Sequence, residues 1–325
     1  MKVIKITDIA GIKVGHAQNK SAATGCTVII CEDGAISGVD VRGGAPGTRE
    51  TDLLNPLNLV EKIHAIILAG GSAFGLDCAS GVMEYLEEHG IGFDVGITKV
   101  PIVCGAVLFD LMIGDHKIRP DRAMGYKACQ NSTRKKCFEG NVGAGTGATV
   151  GKILGIERAM KGGLGIYGLC IDDLKVAAIV AVNCLGDIID PYNNEIIAGL
   201  LSEDKKNIIS TENIILNKYY DKKCQFVGNT TIGVVVTNAK LNKSQANKLA
   251  SISHNGYART INPTHTMIDG DTIFTMATNN IKADFDSVGI LSVKVVEQAI
   301  LRAVKKAKDL HGYKSYSTIK SLFKT

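Results

Sequence analysis

The chain predicts an α+β fold with one domain over residues 1–325, and three observations carry that expectation. Runs rich in valine and isoleucine at 164–171, 174–182 and 228–237 have the length and β-branched content of buried strands. Longer segments at 122–130, 244–260 and 287–308 read as helices. The two kinds of segment are interspersed, and no internal repeat, low-complexity tract or shift in composition marks a domain boundary.

Taken in order, residues 26–31 and 35–41 read as two strands joined by the turn Glu32-Asp33-Gly34, a hairpin. A short helix is expected at 55–62 and a buried strand at 64–68. Gly70-Gly71-Ser72 turns that strand into a helix reaching about His89, with Leu76, Val82, Met83 and Leu86 on its apolar face. Ser72 stands where a helix N-cap belongs. A nucleophile elbow G-x-S-x-G fails here, because Phe74 occupies the place of the last glycine. Residues 100–111 form another apolar run, 122–130 a helix and 131–140 a polar connection.

The glycine-rich loop Gly143, Gly145, Gly147, Gly151-Lys152 lacks Walker A spacing, since Thr146 and Ile153 stand where Gly and Ser/Thr are required. A G-x-G-x-x-G reading from Gly143 ends in Ala148 and has no buried strand before it. These glycines are expected to let backbone pass close to a substrate or to a new amino terminus. Strands at 164–171 and 174–182 meet at Asp172-Asp173, and Asn183 closes the second. Residues 203–223 turn polar and read as an exposed connection. A strand at 228–237, a helix from 244 to 252 extending toward Thr260, a strand at 272–276 and a long helix at 287–308 complete the chain.

Hydrophobic residues make up 45% and charged residues 21%, enough apolar content for a large core. The net charge of +5 is mild, and much of it lies in Arg302, Lys305, Lys306, Lys308, Lys314, Lys320 and Lys324, a solvated helix end and terminus. No Lys/Arg cluster is interleaved with aromatics and there is no Trp, which argues against a nucleic-acid partner. Nine cysteines, an odd number without C-x-x-C spacing, sit mostly in apolar runs and predict free thiols in a reducing compartment. The apolar runs at 100–109 and 176–182 are too short to span a bilayer, and the first eight residues lack an apolar signal core. The expected compartment is the cytoplasm, with no membrane partner. No His/Asp/Glu set has metal-ligand spacing, so neither metal nor cofactor is expected.

The chemistry centres on residues 228–237, where Gly228-Asn229 makes a kink ahead of the β-branched run that starts at Thr230. If the bond between Asn229 and Thr230 is cut, Thr230 carries a hydroxyl nucleophile and, in its free α-amine, a base titrating at about 7.7–8.0. The plain alternative is a threonine pair at a strand start. Asp269-Gly270-Asp271 puts two carboxylates at i and i+2, on one side of an extended segment. Two readings stand for them, an ordinary Asp-Gly-Asp turn and a pair whose repulsion raises one pKa and so shuttles protons. Lys152 is either a surface lysine after a glycine turn or a positive charge serving the nucleophile. Asn183 either turns a strand end or donates its amide to an oxyanion. His265, close to the Asp pair, reads as a structural hydrogen-bonder or a substrate contact.

Four blocks in one order resemble a known family: GVDVRGGAPGTRETD at 38–52, HAIILAGGSAFGL at 64–76, NVGAGTGA at 141–148 and GNTTIGVVVT at 228–237. Together they are similar to the signatures of the DmpA-type family of self-cleaving peptidases. That family includes L-aminopeptidase/D-esterases, β-aminopeptidases and endo-type 6-aminohexanoate (nylon) oligomer hydrolases. The block HTMIDGDTIF at 265–274 looks like the nylon-oligomer hydrolases, which use an Asp pair with a catalytic Thr. The β-aminopeptidases have Ser and Glu there with a Ser nucleophile.

The resemblance implies a four-layer αββα sandwich of the DmpA/ornithine acetyltransferase type, N-terminal-nucleophile-hydrolase-like, cut autocatalytically into 1–229 and 230–325. It implies Thr230 as nucleophile and base, Asp269 and Asp271 as orienting and relaying groups, a functional Lys152 and an oxyanion contribution from Asn183 together with backbone N–H groups. Ser72, Phe109 and His265 are secondary candidates for substrate contacts. Some relatives have tyrosine at the Phe109 place, so a hydroxyl contact there is absent, and Cys104-Gly105 stands where the family often has Pro-Ala. The implied substrate is a small peptide or amide, or an amide oligomer, and the implied assembly a homo-oligomer, often a tetramer of cleaved pairs. Two alternatives remain. One is an acyltransferase like the ornithine acetyltransferases, which also cut before a Thr. The other is an uncut small-molecule-binding protein, against which stands the presence of Thr230, Asp269 and Asp271.

Overall fold

The computed structural model describes residues 1–217 and 228–322. Ten strands form one hydrogen-bonded sheet. They are β1 (Lys2–Ile4), β2 (Ile12–Asn19), β3 (Thr24–Val41), β4 (Thr48–Arg49), β5 (Lys62–Ala69), β6 (Val103–Val107), β7 (Gly163–Ile171), β8 (Leu174–Asn183), β9 (Thr230–Ala239) and β10 (Thr272–Ile281). Their order is β1-β7-β8-β9-β10-β3-β5-β6-β4, with β2 also paired to β3. The α-helices among the described residues are α1 (Cys78–Glu88), α2 (Arg122–Gln130), α3 (Thr211–Asn217), α4 (Lys243–Thr260), α5 (Phe285–Lys306) and α6 (Tyr316–Leu322).

The path doubles back at β3. Residues 36–41 of this strand pair with 272–277 of β10, whereas its first half pairs with β2 and β5. Between the halves the register against β5 shifts, and Gly34 takes φ +74°. The expected hairpin at Glu32-Asp33-Gly34 is therefore a bulge inside one 18-residue strand. The turn signal is real, but both flanks find partners in neighbouring strands and not in each other.

Three buried clusters separate four layers. Val176, Val180, Val235 and Ile273 pack on Leu249, Tyr257, Val296 and Ile300 of α4 and α5. Ile179, Ile232, Val234 and Phe274, one residue out of phase on the same strands, meet Ile29, Ile66 and Leu68 of the other half of the sheet. Val28, Ile30, Ala65 and Ile67 then pack on Ala79, Val82 and Leu86 of α1 and Ala128 of α2. The result is the expected αββα sandwich, and it follows from strands that are apolar on both faces. β9 runs parallel to β10, and β5 to β6. Parallel neighbours need a crossover, and α4 and α1 supply one on each outer face. Asp121, Asn242 and Asp284 start α2, α4 and α5 by accepting from the backbone N–H of Met124, Gln245 and Ser287.

Several local expectations fail for identifiable reasons. Residues 55–62 are not helical, because Asn55 and Asn58 side chains bond the backbone of Leu57 and Asp52 and hold a turn. Ser72 is not a helix cap. It sits at φ +55° in a 3₁₀ turn, Ser72–Asp77, while α1 begins at Cys78 without a side-chain cap. Its N–H donates to Leu108 O at 2.9 Å, which ties the turn to the strand end. The polar stretch from 203 is structured as far as it is described: Leu200–Leu201 pairs with Ile208–Ile209, and α3 follows. Buried Asp187 holds both by accepting from Leu200 N, Thr211 N and Thr211 Oγ1. Residues 218–223 of that expectation, with Cys224 and Lys324, lie outside the described residues. The eight described cysteines are free, six of them buried. No helix among the described residues is long and apolar enough to cross a membrane.

Candidate active site

The start of β9 lies against the end of β8, with Thr230 opposite Asn183 in antiparallel register. Thr230 shares a side of β9 with Ile232 and Val234, and Asn183 shares a side of β8 with Ile179 and Ala181, so both point into the space between the sheets. On the other flank β10 starts parallel to β9, which brings the turn before it alongside Asn229, and Asn229 bridges to Asp269.

The carbonyl oxygen of Asn229 receives two donors. Thr230 Oγ1 is one, and the backbone N–H of Gly270, at 2.9 Å, is the other. Both Asn229 and Thr230 are buried, at 1% and 4% exposure. Gly270 has to be a glycine, since a Cβ there would lie 2.7 Å from Thr230 Oγ1. Gly228 is constrained too: a Cβ on it would lie 2.5 Å from Cγ of Phe109.

The two aspartates are both buried but held differently. Asp269 Oδ2 accepts from Thr266 N at 2.8 Å and Thr266 Oγ1 at 2.6 Å. Burial, and after it the neighbouring Asp271 charge, push its carboxyl up to about 6. Asp271 Oδ1 accepts from Thr231 N at 2.7 Å, and its Oδ2 from Thr264 Oγ1, His265 N and His265 Nδ1 at 3.0, 3.0 and 2.9 Å. Burial pushes this carboxyl up as well, but the His265 bond and charge and the two backbone N–H groups outweigh it and hold it below the usual range.

Lys152 is buried, at 1% exposure, and is not the surface lysine that its glycine turn permits. Its Nζ donates to Asn183 O at 2.8 Å and Asn183 Oδ1 at 3.0 Å. Burial brings its ammonium down to about 8, against the opposing pull of Cys184, Asp269 and Asp110. Asn183 Oδ1 also accepts from Thr149 N at 3.0 Å, and its Nδ2 donates to Phe109 O at 3.0 Å. The Asn183 amide thus ties Lys152 to Phe109, and the donor aimed at the Asn229 carbonyl is Gly270 N–H. Backbone N–H donors are expected at an oxyanion, but a backbone donor carries no side-chain signal that would single out Gly270; the glycine between two aspartates is the one trace of it.

The structure therefore gathers Asn229, Thr230, Asn183, Lys152, Asp269, Asp271, Phe109 and His265. Ser72 is half-buried beside the segment leading to Phe109, with no bond to these residues. The glycine-rich loop packs on its own chain: a Cβ on Gly145 would lie 2.2 Å from Leu164 N, and one on Gly147 2.0 Å from Ala23 O. Its carbonyls at 145, 148 and 162 hold the buried Nζ of Lys161 at 3.1, 2.7 and 3.2 Å, another residue the sequence did not single out. Among the described residues no group of three or more His, Cys, Asp or Glu is placed to hold a metal ion.

Comparison with known proteins identifies the family and the fold. The family model for Peptidase family S58 matches residues 5–318. An uncharacterized aminopeptidase of Mycobacterium leprae is 38% identical, covering 96% of this chain and 92% of its own length. A 6-aminohexanoate-oligomer endohydrolase of Kocuria sp. is 29% identical over 92% of this chain and 85% of its own. Among solved structures, the L-aminopeptidase D-Ala-esterase/amidase of Ochrobactrum anthropi, described as a variant of the Ntn hydrolase fold, superposes with a TM-score of 0.71. It is 16% identical and covers 98% of this chain and 93% of its own, so it speaks for the fold alone. With a family match over nearly its whole length and a relative well above 30% identity, the chain belongs to peptidase family S58.

Proposed function

We propose that the chain is a self-processing amide hydrolase whose nucleophile is Thr230. The observation that carries this reading is the pair of contacts on the Asn229 carbonyl oxygen, from Thr230 Oγ1 and from Gly270 N–H. One puts the hydroxyl beside the carbonyl to be attacked, and the other is a preorganised donor for the oxyanion that attack creates.

In processing, Oγ1 forms a bond to the Asn229 carbonyl carbon and its proton passes to the Thr230 nitrogen. The carbon–nitrogen bond breaks, leaving an ester and a free α-amine. Water then hydrolyses the ester, giving the Asn229 carboxylate and restoring the hydroxyl. In turnover the α-amine takes the Oγ1 proton as the hydroxyl attacks a substrate amide, and it returns that proton to the leaving amine. Water releases the acyl group. Asp269 accepts and returns a proton in this reading, and Lys152 supplies positive charge to the same buried space.

The substrates proposed are small linear amides, either short peptides or amide oligomers, in keeping with the named activities of the relatives. Tetramers of the cleaved pair, in the cytoplasm, are part of the same proposal. The test is the intact mass of the wild-type protein beside Thr230→Ala. Fragments 1–229 and 230–325 from the wild type and a whole variant are expected. A wild-type chain that stays whole on prolonged incubation, or breaks at another bond, overturns the reading.

A further inference from the structure

The hydrogen bonding of the two aspartates is asymmetric. Asp271 takes four donors and no acceptor, so a proton on it would have to go to an oxygen that already accepts. Asp269 takes two donors, both on Oδ2, and its Oδ1 is buried without a partner among the described residues. Two of the four donors on Asp271 come from His265. Its backbone sits at φ +58°, and its N–H and its ring Nδ1 both reach Asp271 Oδ2. A carboxylate accepts and does not donate, so Nδ1 carries the proton.

The ring is seated by α4. It lies edge-to-face 4.8 Å from the His254 ring and stacks 6.2 Å from that of Tyr257. Its Nε2, the nitrogen a substrate would have to reach, is buried and has no partner among the described residues. That placement speaks against a substrate contact through this nitrogen and for a role directed at Asp271.

We propose that His265 is a positioning residue, whose Nδ1–H keeps the Asp271 carboxylate charged and oriented, so that Asp269 is the member of the pair that exchanges protons. The proposal rests on the reading of Asp269 and Asp271 as a working pair. The other titratable groups nearby do not supply the same hold. Lys152 faces Asp269, and the Cys184 thiol faces both aspartates but is pushed well up by burial and so brings no positive charge to either. His254 donates from Nε2 to Asp40 O at 2.9 Å, and burial pushes its ring down to about 4, so it is neutral at physiological pH. Arg42 is paired with Asp40 at 3.1 Å, and the Tyr257 hydroxyl is buried without a partner among the described residues. None of these side chains hydrogen-bonds the Asp271 carboxylate.

The test is the rate of cleavage between Asn229 and Thr230 as a function of pH, followed by intact mass, in wild type, His265→Ala, His265→Gln and His265→Asn. Asn keeps an N–H near the Nδ1 position and tolerates positive φ; Gln carries its amide one carbon farther out. The lower acid limb, that of Asp271, is expected to move up by about one pH unit in the Ala and Gln variants and to stay within a few tenths of wild type in Asn, while the step near 6 that belongs to Asp269 stays in place. Because processing involves no external substrate, a substrate-contact role would leave all four rates alike, which overturns the proposal. A merely structural role would slow the variants with the limb unmoved, which also overturns it. Should Ala not fold, the Asn and Gln pair gives the same comparison. If the wild type is not cut, the proposed function fails, and Tm against pH in the Thr230→Ala background still decides the pairing. Asp271 contributes stability above about pH 4 that is lost as pH falls through its lowered folded value. That loss should be smaller when His265→Ala is added and retained with His265→Asn.

Discussion

The N–H of Gly270 donates at 2.9 Å to the carbonyl of Asn229, although 41 positions separate the two residues in the sequence. The contact exists because β9 and β10 run parallel and start side by side. In the proposed mechanism it makes the glycine between the aspartates an oxyanion donor and not a spacer. Gly270→Ala would place a methyl group 2.7 Å from Thr230 Oγ1 and 2.9 Å from Ala45 O, pushing the donor and the hydroxyl apart. The expected result is cleavage slowed by about a hundredfold, on the scale of losing an oxyanion donor, in a time course of intact mass.

Activity should depend on pH as a bell. Asp269, raised to about 6, is protonated below that value and cannot accept a proton there. Lys152, lowered to about 8, loses its charge above that value. A rate profile of self-cleavage, in which no free α-amine takes part, should therefore rise through about 6 and fall through about 8. An acid limb near the ordinary carboxylate value of about 4 would show that Asp269 is not the titrating group.

Lys152→Met should separate activity from stability. It leaves Asn183 O and Oδ1 without their Nζ donor, at a cost of about 1–3 kcal/mol, but removes a buried charge whose desolvation offsets part of that. The expected outcome is a Tm change of a few degrees with turnover down by about a hundredfold or more. A variant that turns over at the wild-type rate would remove Lys152 from the mechanism.

Lys161→Met should do the opposite. Its Nζ satisfies three carbonyls of the glycine-rich loop and its flank, so the variant should lose about 2–4 kcal/mol in denaturant unfolding. The sign of the pH dependence follows from the lysine being brought down to about 7, first by burial. Between about 7 and 10 the unfolded chain binds more protons at this site than the folded one, so wild-type stability gains with pH there. The gap between wild type and variant should widen from pH 7 to pH 9.

Much of the fold could be read from local pattern. The helix at Arg122–Gln130 and the strand pair Gly163–Ile171 and Leu174–Asn183 fall where periodicity and turn residues put them. The failures share a cause. Glu32-Asp33-Gly34 signals a turn without saying whether the flanking strands pair with each other, and Asn55 and Asn58 favour a turn that helix spacing does not register. Lys161 was invisible because a lysine held by carbonyls looks in sequence like any other lysine.

By itself, the sequence determined which residue types are candidates for the chemistry and in what order they lie: a threonine behind Gly-Asn, two aspartates around a glycine, a lysine after a glycine turn and an asparagine at a strand end. Those are properties of covalent structure and local periodicity. Tertiary structure alone decided their pairing. The Asn183 amide is directed to Lys152, Thr149 and Phe109, the Asn229 carbonyl to Gly270, and Asp271 to His265 and Thr231. The physical reason is that hydrogen bonds and desolvation act at a few ångströms, and only the stacking of two sheets brings segments from residues 109, 152, 183, 230 and 270 within that range.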